Sequence, residues 1–352
     1  MVALVISGIT LALCCGRDGN LSSLYRHMVH HFDQLCQAVG LTKQTVISRA
    51  QLPRLLAKVN GVVLAELLFQ RFGVCLTAQQ QAWFAADGKE LRGTIELGNK
   101  RGEACVSLVA HATEVIAGQT YYNGNKESER PAVAQLLVAT GLQNQKITLD
   151  ALHLIPLTIR AIHKAGGTYL VGLKTNQPML YRSWVGSSTV KLPHYERQDS
   201  PQRGHARIDL RSYACFAMNP SYLAPRWQCS GMQTLVRVVR VRQQLSGVEL
   251  SREVSYFVSN MAVNQQAQAD ELFEAVRQHW RIETMHYRRD VTLAEDNFRS
   301  SQPAVSRLMS SLRTLVLNLL RLEKLKNMVG KMEEFADKFH ILLQFMILKK
   351  VL

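Results

Sequence analysis

Residues 279–290, HWRIETMHYRRD, place ionisable side chains at 279, 283, 286 and 290. At 100° per residue, the offsets of 4, 7 and 11 bring His279, Glu283, His286 and Asp290 into one helical stripe roughly 60° wide. Two carboxylates and two imidazoles in line suit three uses: gripping a divalent cation, holding a phosphate, or forming a solvated salt-bridged row. What faces the stripe decides among them.

Two aspartates are candidates to face it. Asp87 follows the short apolar run 82–86, and Asp150 ends the run 147–149 ahead of an amphipathic stretch. Both stand where a strand should end, which is where open α/β sheets deliver groups to a ligand. With Glu283 they make a trio of carboxylates, and carboxylates gathered without cations raise each other's pKa. An all-oxygen donor set suits Mg²⁺ or Mn²⁺ rather than Zn²⁺. Each residue alone has an ordinary alternative: Asp87-Gly88 is a turn signal, and Asp150 could cap the helix after it.

The elements that position these residues follow from periodicity. Residues 1–80 read as an all-helical N-terminal domain: an apolar helix at the start, then 21–39 and 52–72, with Thr42 or Thr45 as a cap between them. That pair is either a DNA-contacting helix-turn-helix or two helices that only pack. From 81 onward strands dominate, at 82–86, 93–97 and 104–111, with a helix over 130–141 before the Asp150 strand. Residues 154–164 then form a helix stopped by Gly166-Gly167, and 169–174 a strand, making a parallel crossover. Lys174, Asn176 and Gln177 should end that strand near Asp150. Residues 207–216 and 234–242 alternate apolar with basic side chains, so 181–258 reads as a β-rich insertion with one charged face. Trp280 is expected in the core, and Glu295 and Asp296, beyond the stripe, are expected as surface charges, either of which could serve as a spare ligand.

Composition favours a polyanionic partner. Lys and Arg number 42 against 27 Asp and Glu, a net charge of +15 over 352 residues, enough chain for two or three domains. Residues 181–243 alone hold ten basic residues against three acidic ones. Such a patch would neutralise phosphates and make binding salt-dependent. Seven cysteines, odd in number and without a C-x-x-C pair, suggest neither a disulfide framework nor a zinc site, so a reducing, cytoplasmic setting is expected. The opening MVALVISGITLALCC has no basic residue ahead of its apolar run and is short for a bilayer span, so it reads as a core helix, and no membrane association is expected.

Three separated phrases then carry a family likeness. DGKELRG at 87–93, TLDALH at 148–153 followed by YLVGLKTNQPML at 169–180, and HWRIETMHYRRDVTLAED at 279–296 resemble the DDE transposases of bacterial insertion sequences, in the H-repeat-associated, ISAs-type branch of the IS-four-like group. The likeness extends over GHARIDLR at 204–211 and SSLRTLVLNLLR at 310–321. It implies an α/β fold: a ribonuclease-H-like mixed sheet over 81–325 carrying the insertion, with a helical tail at 326–352. It makes Asp87, Asp150 and Glu283 both catalytic residues and metal ligands. It implies binding of terminal inverted repeats, cleavage, and joining of 3′-hydroxyls to target DNA with two Mg²⁺ (or Mn²⁺) ions, by a homodimer or larger assembly in the bacterial nucleoid. Lys89, Arg92, Lys174, Asn176, Gln177, His205, Arg207, His279 and His286 become candidate DNA contacts.

The chain departs from the pattern in places. Thr284 replaces the family's Asn after Ile-Glu, and Arg289 stands where a hydrophobic residue is usual. Val276, His279 and Asp290 occupy the positions of the Tyr, Arg and Lys of the wider Tyr-Arg-Glu-Lys signature. Ala206 replaces Gly in the His-Gly-Arg phrase, and the family's proline- and arginine-containing lead-in does not precede the apolar helix. The alternatives are a catalytically inactive remnant and a non-enzymatic DNA-binding protein. A di-iron bundle would need a second Glu-x-x-His beside Glu283-x-x-His286, which is absent from the sequence. A nuclease without strand transfer would share the carboxylates.

Overall fold

The computed structural model describes residues 1–16, 19–42, 44–77, 83–124, 126–140, 144–204, 206–323, 325 and 327–352. Among them ten strands are formed: β1 (Trp83–Glu90), β2 (Ala104–Ala110), β3 (Ile116–Tyr122), β4 (Lys146–Leu149), β5 (Thr168–Leu173), β6 (Tyr195–Gln198), β7 (Gln202–Gly204), β8 (Arg207–Ala217), β9 (Thr234–Gln244) and β10 (Glu249–Ser259). They belong to one mixed sheet in the order β3-β2-β1-β4-β5-β10-β9-β8-β6, with β7 beside β8. The fold is the ribonuclease-H-like mixed α/β class. The described residues fall into two compact units, 1–80 with 88–136 and 281–352, and 81–87 with 137–280.

In the first unit the opening helix Val2–Cys14 buries Leu4, Val5 and every residue from Gly8 to Cys14, as a predominantly apolar helix must. The expected helix over 21–39 is broken at His31 into Leu21–His30 and Phe32–Ala38, and Asn20 caps the first through Ser23 N–H at 2.8 Å. The next helices are Leu52–Leu56 and Gly61–Thr77, so no helix starts at Thr42 or Thr45; Asn60 Oδ1 accepts from Val62 and Val63 N–H instead. β2 and β3 are antiparallel, and the expected strand at 93–97 is replaced by a 3₁₀ turn at Arg92–Thr94. The long helix Pro303–Leu322 meets β3 through polar side chains. Asn318 accepts from Ile116 N–H at 2.8 Å and donates to its carbonyl at 2.9 Å, which pairs the backbone of β3 much as another strand would. Gln119 completes the contact through Ser310 at 2.8 Å and Thr314 at 2.6 Å. The tail forms two helices, Met328–Asp337 and Phe339–Leu348.

In the second unit β1, β4 and β5 are parallel, and helix Pro156–Lys164 makes the crossover before Gly166 at φ 73°. β10 pairs antiparallel with β5, so the insertion extends the same sheet. The insertion opens with a helix, Pro178–Val190, that periodicity did not reveal. Helix Gln266–His279 covers one sheet face: Ala269, Leu272, Phe273 and Val276 pack with Trp83, Leu170, Tyr213 and Val236. Burying apolar area at roughly 25 cal/mol per Å² makes such a face the main stabilising term of the unit.

Candidate active site

Register brings the two aspartates together. In parallel β1 and β4, Trp83 pairs with Lys146 and Ala86 with Leu149, so the next residues, Asp87 and Asp150, are neighbours where β4 ends. Adjacent strands lie about 4.8 Å apart and in-register residues share a face, which suits two carboxylates holding one cation between them. The Asp-Gly dipeptide is not a turn here, because β1 runs on through Gly88. A Cβ at Gly88 would stand 2.6 Å from Tyr122 Oη and from Glu129 Cδ, so a side chain there would have to displace the ends of those two side chains. Asp150 also caps the 3₁₀ turn Ala151–His153, accepting from Leu152 N–H at 2.9 Å, while its side chain stays 45% exposed. Among the described residues no three His, Cys, Asp or Glu side chains are gathered for a metal.

The helix covering this face has a fixed direction. Near its start Glu271 accepts from Lys146 Nζ at 2.5 Å and from Trp83 Nε1 at 2.8 Å; at its end His279 Nδ1 lies 2.9 Å from Thr148 Oγ1. The helix therefore runs along β4 toward the end that bears Asp150. The Thr148 hydroxyl donates its proton to the Phe84 carbonyl at 3.2 Å, so His279 must donate through Nδ1–H and keep Nε2 as an acceptor. Burial pushes the His279 pKa down to about 4, against the pull of Asp150, so the ring is neutral at pH 7.

The single stripe expected over 279–290 does not form. The helix ends at His279, Trp280 is 60% exposed rather than in the core, and a new helix, Arg281–Tyr287, passes into a π-helical turn, Arg288–Thr292. On the second helix Ile282 and Met285 are buried and Glu283 is exposed, with partial burial raising its pKa. His286 is driven down to about 3 by burial and by Arg289 and Lys89, so it too is neutral.

The π-helical turn sits in a charge cluster inside the first unit. Lys89 Nζ meets Asp290 at 2.6 Å, Asp296 at 3.2 Å and Glu295 at 3.6 Å, and only 7% of that lysine is exposed. Fully buried Arg289 donates to Glu295 at 2.6 Å and to Ser310 at 2.5 Å. Buried Arg313 donates to the Leu293 carbonyl at 3.0 Å. Glu295 and Asp296, expected as surface charges, are thus parts of this cluster. Burial alone would raise the Glu295 pKa, but Arg289 and Lys89 hold it at about 2.

The candidate DNA contacts divide accordingly. Lys174 is exposed at the end of β5, and Arg92 is 73% exposed beside Asp296 at 3.6 Å. Arg207 is half-buried, 3.8 Å from Asp209, which also meets Arg240 at 3.3 Å and Arg242 at 3.6 Å. Asn176 and Gln177 donate to the carbonyls of Ala151 at 2.7 Å and Leu154 at 2.8 Å, so they brace the loop after Asp150. Lys89 has its ammonium in the interior, and His279 and His286 carry no charge; none of the three is a cationic phosphate contact. His205 lies outside the described residues. A groove of about 540 Å³ in the second unit, lined by Arg211, Arg240, Arg242, Arg277, Tyr213 and Trp280, was not legible in the sequence because Arg277 and Trp280 reach it from a different element.

A ribonuclease-H-like mixed sheet extended by an antiparallel insertion, with Asp87 inside β1 and Asp150 just past the end of its parallel neighbour β4, defines the fold class. Within that class the chain belongs to the transposase DDE domain family, which matches residues 74–319. It is 24% identical over 274 residues to "Putative transposase YncI" of Escherichia coli O157:H7, covering 76% of this chain and 69% of that protein. It is also 24% identical over 257 residues to "H repeat-associated putative transposase YhhI" of Escherichia coli K12, covering 71% and 67%. Among the described residues no helix is long and apolar enough to cross a membrane.

Proposed function

We propose that this chain is an insertion-sequence transposase that binds the terminal repeats of its element, cleaves at the ends and joins the 3′-hydroxyls to target DNA, with Asp87, Asp150 and Glu283 as its carboxylates. The observation that carries this is the register pairing of β1 with β4, which sets Asp87, inside β1, beside Asp150, just past the end of β4. Support for Glu283 comes from its place in the third phrase of the family likeness, within the matched transposase domain, and from its exposure on helix Arg281–Tyr287. The all-oxygen donor set fits a pair of Mg²⁺ or Mn²⁺ ions, which would activate a water or 3′-hydroxyl and stabilise the leaving oxygen.

The chain's own groups have separate tasks. Asp150 is held by the capped turn and by the loop that Asn176 and Gln177 brace. His279, pinned to Thr148, lines the same face as an uncharged acceptor. Arg211, Arg240 and Arg242 beside exposed Trp280 suit a DNA backbone and bases, with Lys174, Arg92 and Arg207 adding phosphate contacts. Paired cutting of two ends calls for a dimer or larger assembly on DNA.

The test is cleavage of a supercoiled plasmid carrying the element's flanks, with Mg²⁺ or Mn²⁺, by wild type, Asp87→Asn, Asp150→Asn and Glu283→Gln. Metal-dependent cuts at the element ends, lost in each variant while DNA binding persists, are expected. A folded, DNA-binding wild type that makes no cuts would mean an inactive remnant.

A further inference from the structure

A lysine at 7% exposure inside a strand is costly unless its charge is matched. Lys89 is matched fully, by Asp290, Asp296 and Glu295 and by the carbonyl of its neighbour Glu90 at 3.3 Å. The two ends of this contact are informative. Lys89 follows Asp87 by two residues in β1, and Asp290 follows Glu283 by seven, two turns further along the same helical segment. Resting on the reading above, we propose that Lys89 is a positioning residue: its pairing with Asp290 fastens the chain just after Asp87 to the turn just after the helix that bears Glu283.

The surroundings fit a strut better than a chance burial. The π-helical turn is held from behind by Arg289 on Glu295 and by Arg313 on the Leu293 carbonyl. Ala294 is kept at φ 49°, a left-handed conformation that an alanine adopts only where its neighbours impose it. The segment after β1 is fastened to the same region again: a Cβ on Gly93 would stand 1.9 Å from the Phe298 carbonyl oxygen, and Arg92 approaches Asp296 at 3.6 Å. Ahead of these anchors Ile282 and Met285 pin the helix by burial and leave Glu283 outward. In the wider family signature a lysine stands at the position of Asp290; here an acid stands there and the lysine comes from the strand.

The experiment uses the full chain with Lys89→Met, Lys89→Arg, Asp290→Asn and the double variant Lys89→Met/Asp290→Asn. Mn²⁺ affinity is read by electron paramagnetic resonance on the protein without DNA, and single-turnover cleavage is measured across a Mg²⁺ series. Loss of outer-shell support costs about 10–100-fold in metal affinity, and an ångström of misplacement costs on the order of 100-fold in rate. Each single variant is therefore expected to bind Mn²⁺ at least about tenfold more weakly and to need correspondingly more Mg²⁺. Lys89→Arg should recover part of the loss, and the double variant should be no worse than the worse single. Unchanged Mn²⁺ affinity with a lowered melting temperature would make Lys89 purely structural and overturn the proposal. Should Lys89→Met fail to fold, Asp290→Glu, which keeps the pair but displaces it, decides the matter by the same readout. If wild type binds Mn²⁺ but cuts no DNA, the functional reading fails while the affinity comparison still judges the strut.

Discussion

Replacing Arg289 by methionine should destabilise the first unit sharply, and the structure sets the size. Arg289 is fully buried, its guanidinium 2.6 Å from a Glu295 carboxylate that is only 3% exposed. Removing one partner of such a pair leaves an uncompensated buried charge, a loss of roughly 3–5 kcal/mol. A second route gives the same scale. The cluster holds Glu295 at about 2 rather than its ordinary 4.5, which at about 1.4 kcal/mol per tenfold change in acidity is worth roughly 3 kcal/mol. After Arg289→Met, Lys89, at 3.6 Å, and the buried Arg313 still act on that carboxylate. The assay is urea unfolding followed by circular dichroism at pH 7. Arg289→Met/Glu295→Gln should recover at least half of the loss, because it removes both charges. The pH dependence has a definite sign. Glu295 is depressed in the fold, so its contribution is present above pH 4.5 and is lost as pH falls toward 2, and the gap between wild type and Arg289→Met must close over that window. A loss under about 1 kcal/mol at pH 7, or a double variant that loses the sum of both singles, would refute the reasoning.

Other outcomes follow from the same geometry. Thr148→Val keeps the shape but strands His279 Nδ1–H, and should cost about 1–3 kcal/mol in thermal or urea unfolding; a neutral result would mean the ring turns to another partner. His279 and His286 are held neutral, with pKa values lowered from 6.5 to about 4 and about 3, so they leave stability unchanged above pH 6.5 and destabilise the fold progressively as pH falls below it, to about 4 for His279 and about 3 for His286. Nuclear magnetic resonance titration should find both rings uncharged at pH 5.5, and a charged ring there would contradict the burial argument. Arg211→Gln and Arg242→Gln should each weaken DNA binding and lower the salt slope by about one; an unchanged slope would remove the groove from the DNA surface.

Much of the site was legible in local pattern. Apolar runs ending in Asp87 and Asp150, a helix between 154 and 164, and an alternating basic insertion are all statements about side-chain period and turn chemistry, and β1, β4, β5, β8 and β9 form where those patterns lie. The stripe over 279–290 failed because periodicity cannot see a helix stop at Trp280, where the next residues serve a different unit. Glu295 read as a surface charge because nothing near it in sequence announces burial. The break in 21–39 at His31 and the helix at Pro178–Val190 were likewise silent.

The amino-acid order by itself determined that Asp150 stands where a strand ends, since strand and turn preferences act over a few residues; Asp87, expected at a strand end too, lies inside β1, which runs on to Glu90. Only the tertiary structure decided which charges face water. Whether Lys89, Arg289 and Glu295 are buried depends on partners about two hundred residues away along the chain or on another element's packing, and a charge enters the interior only when those partners arrive with it.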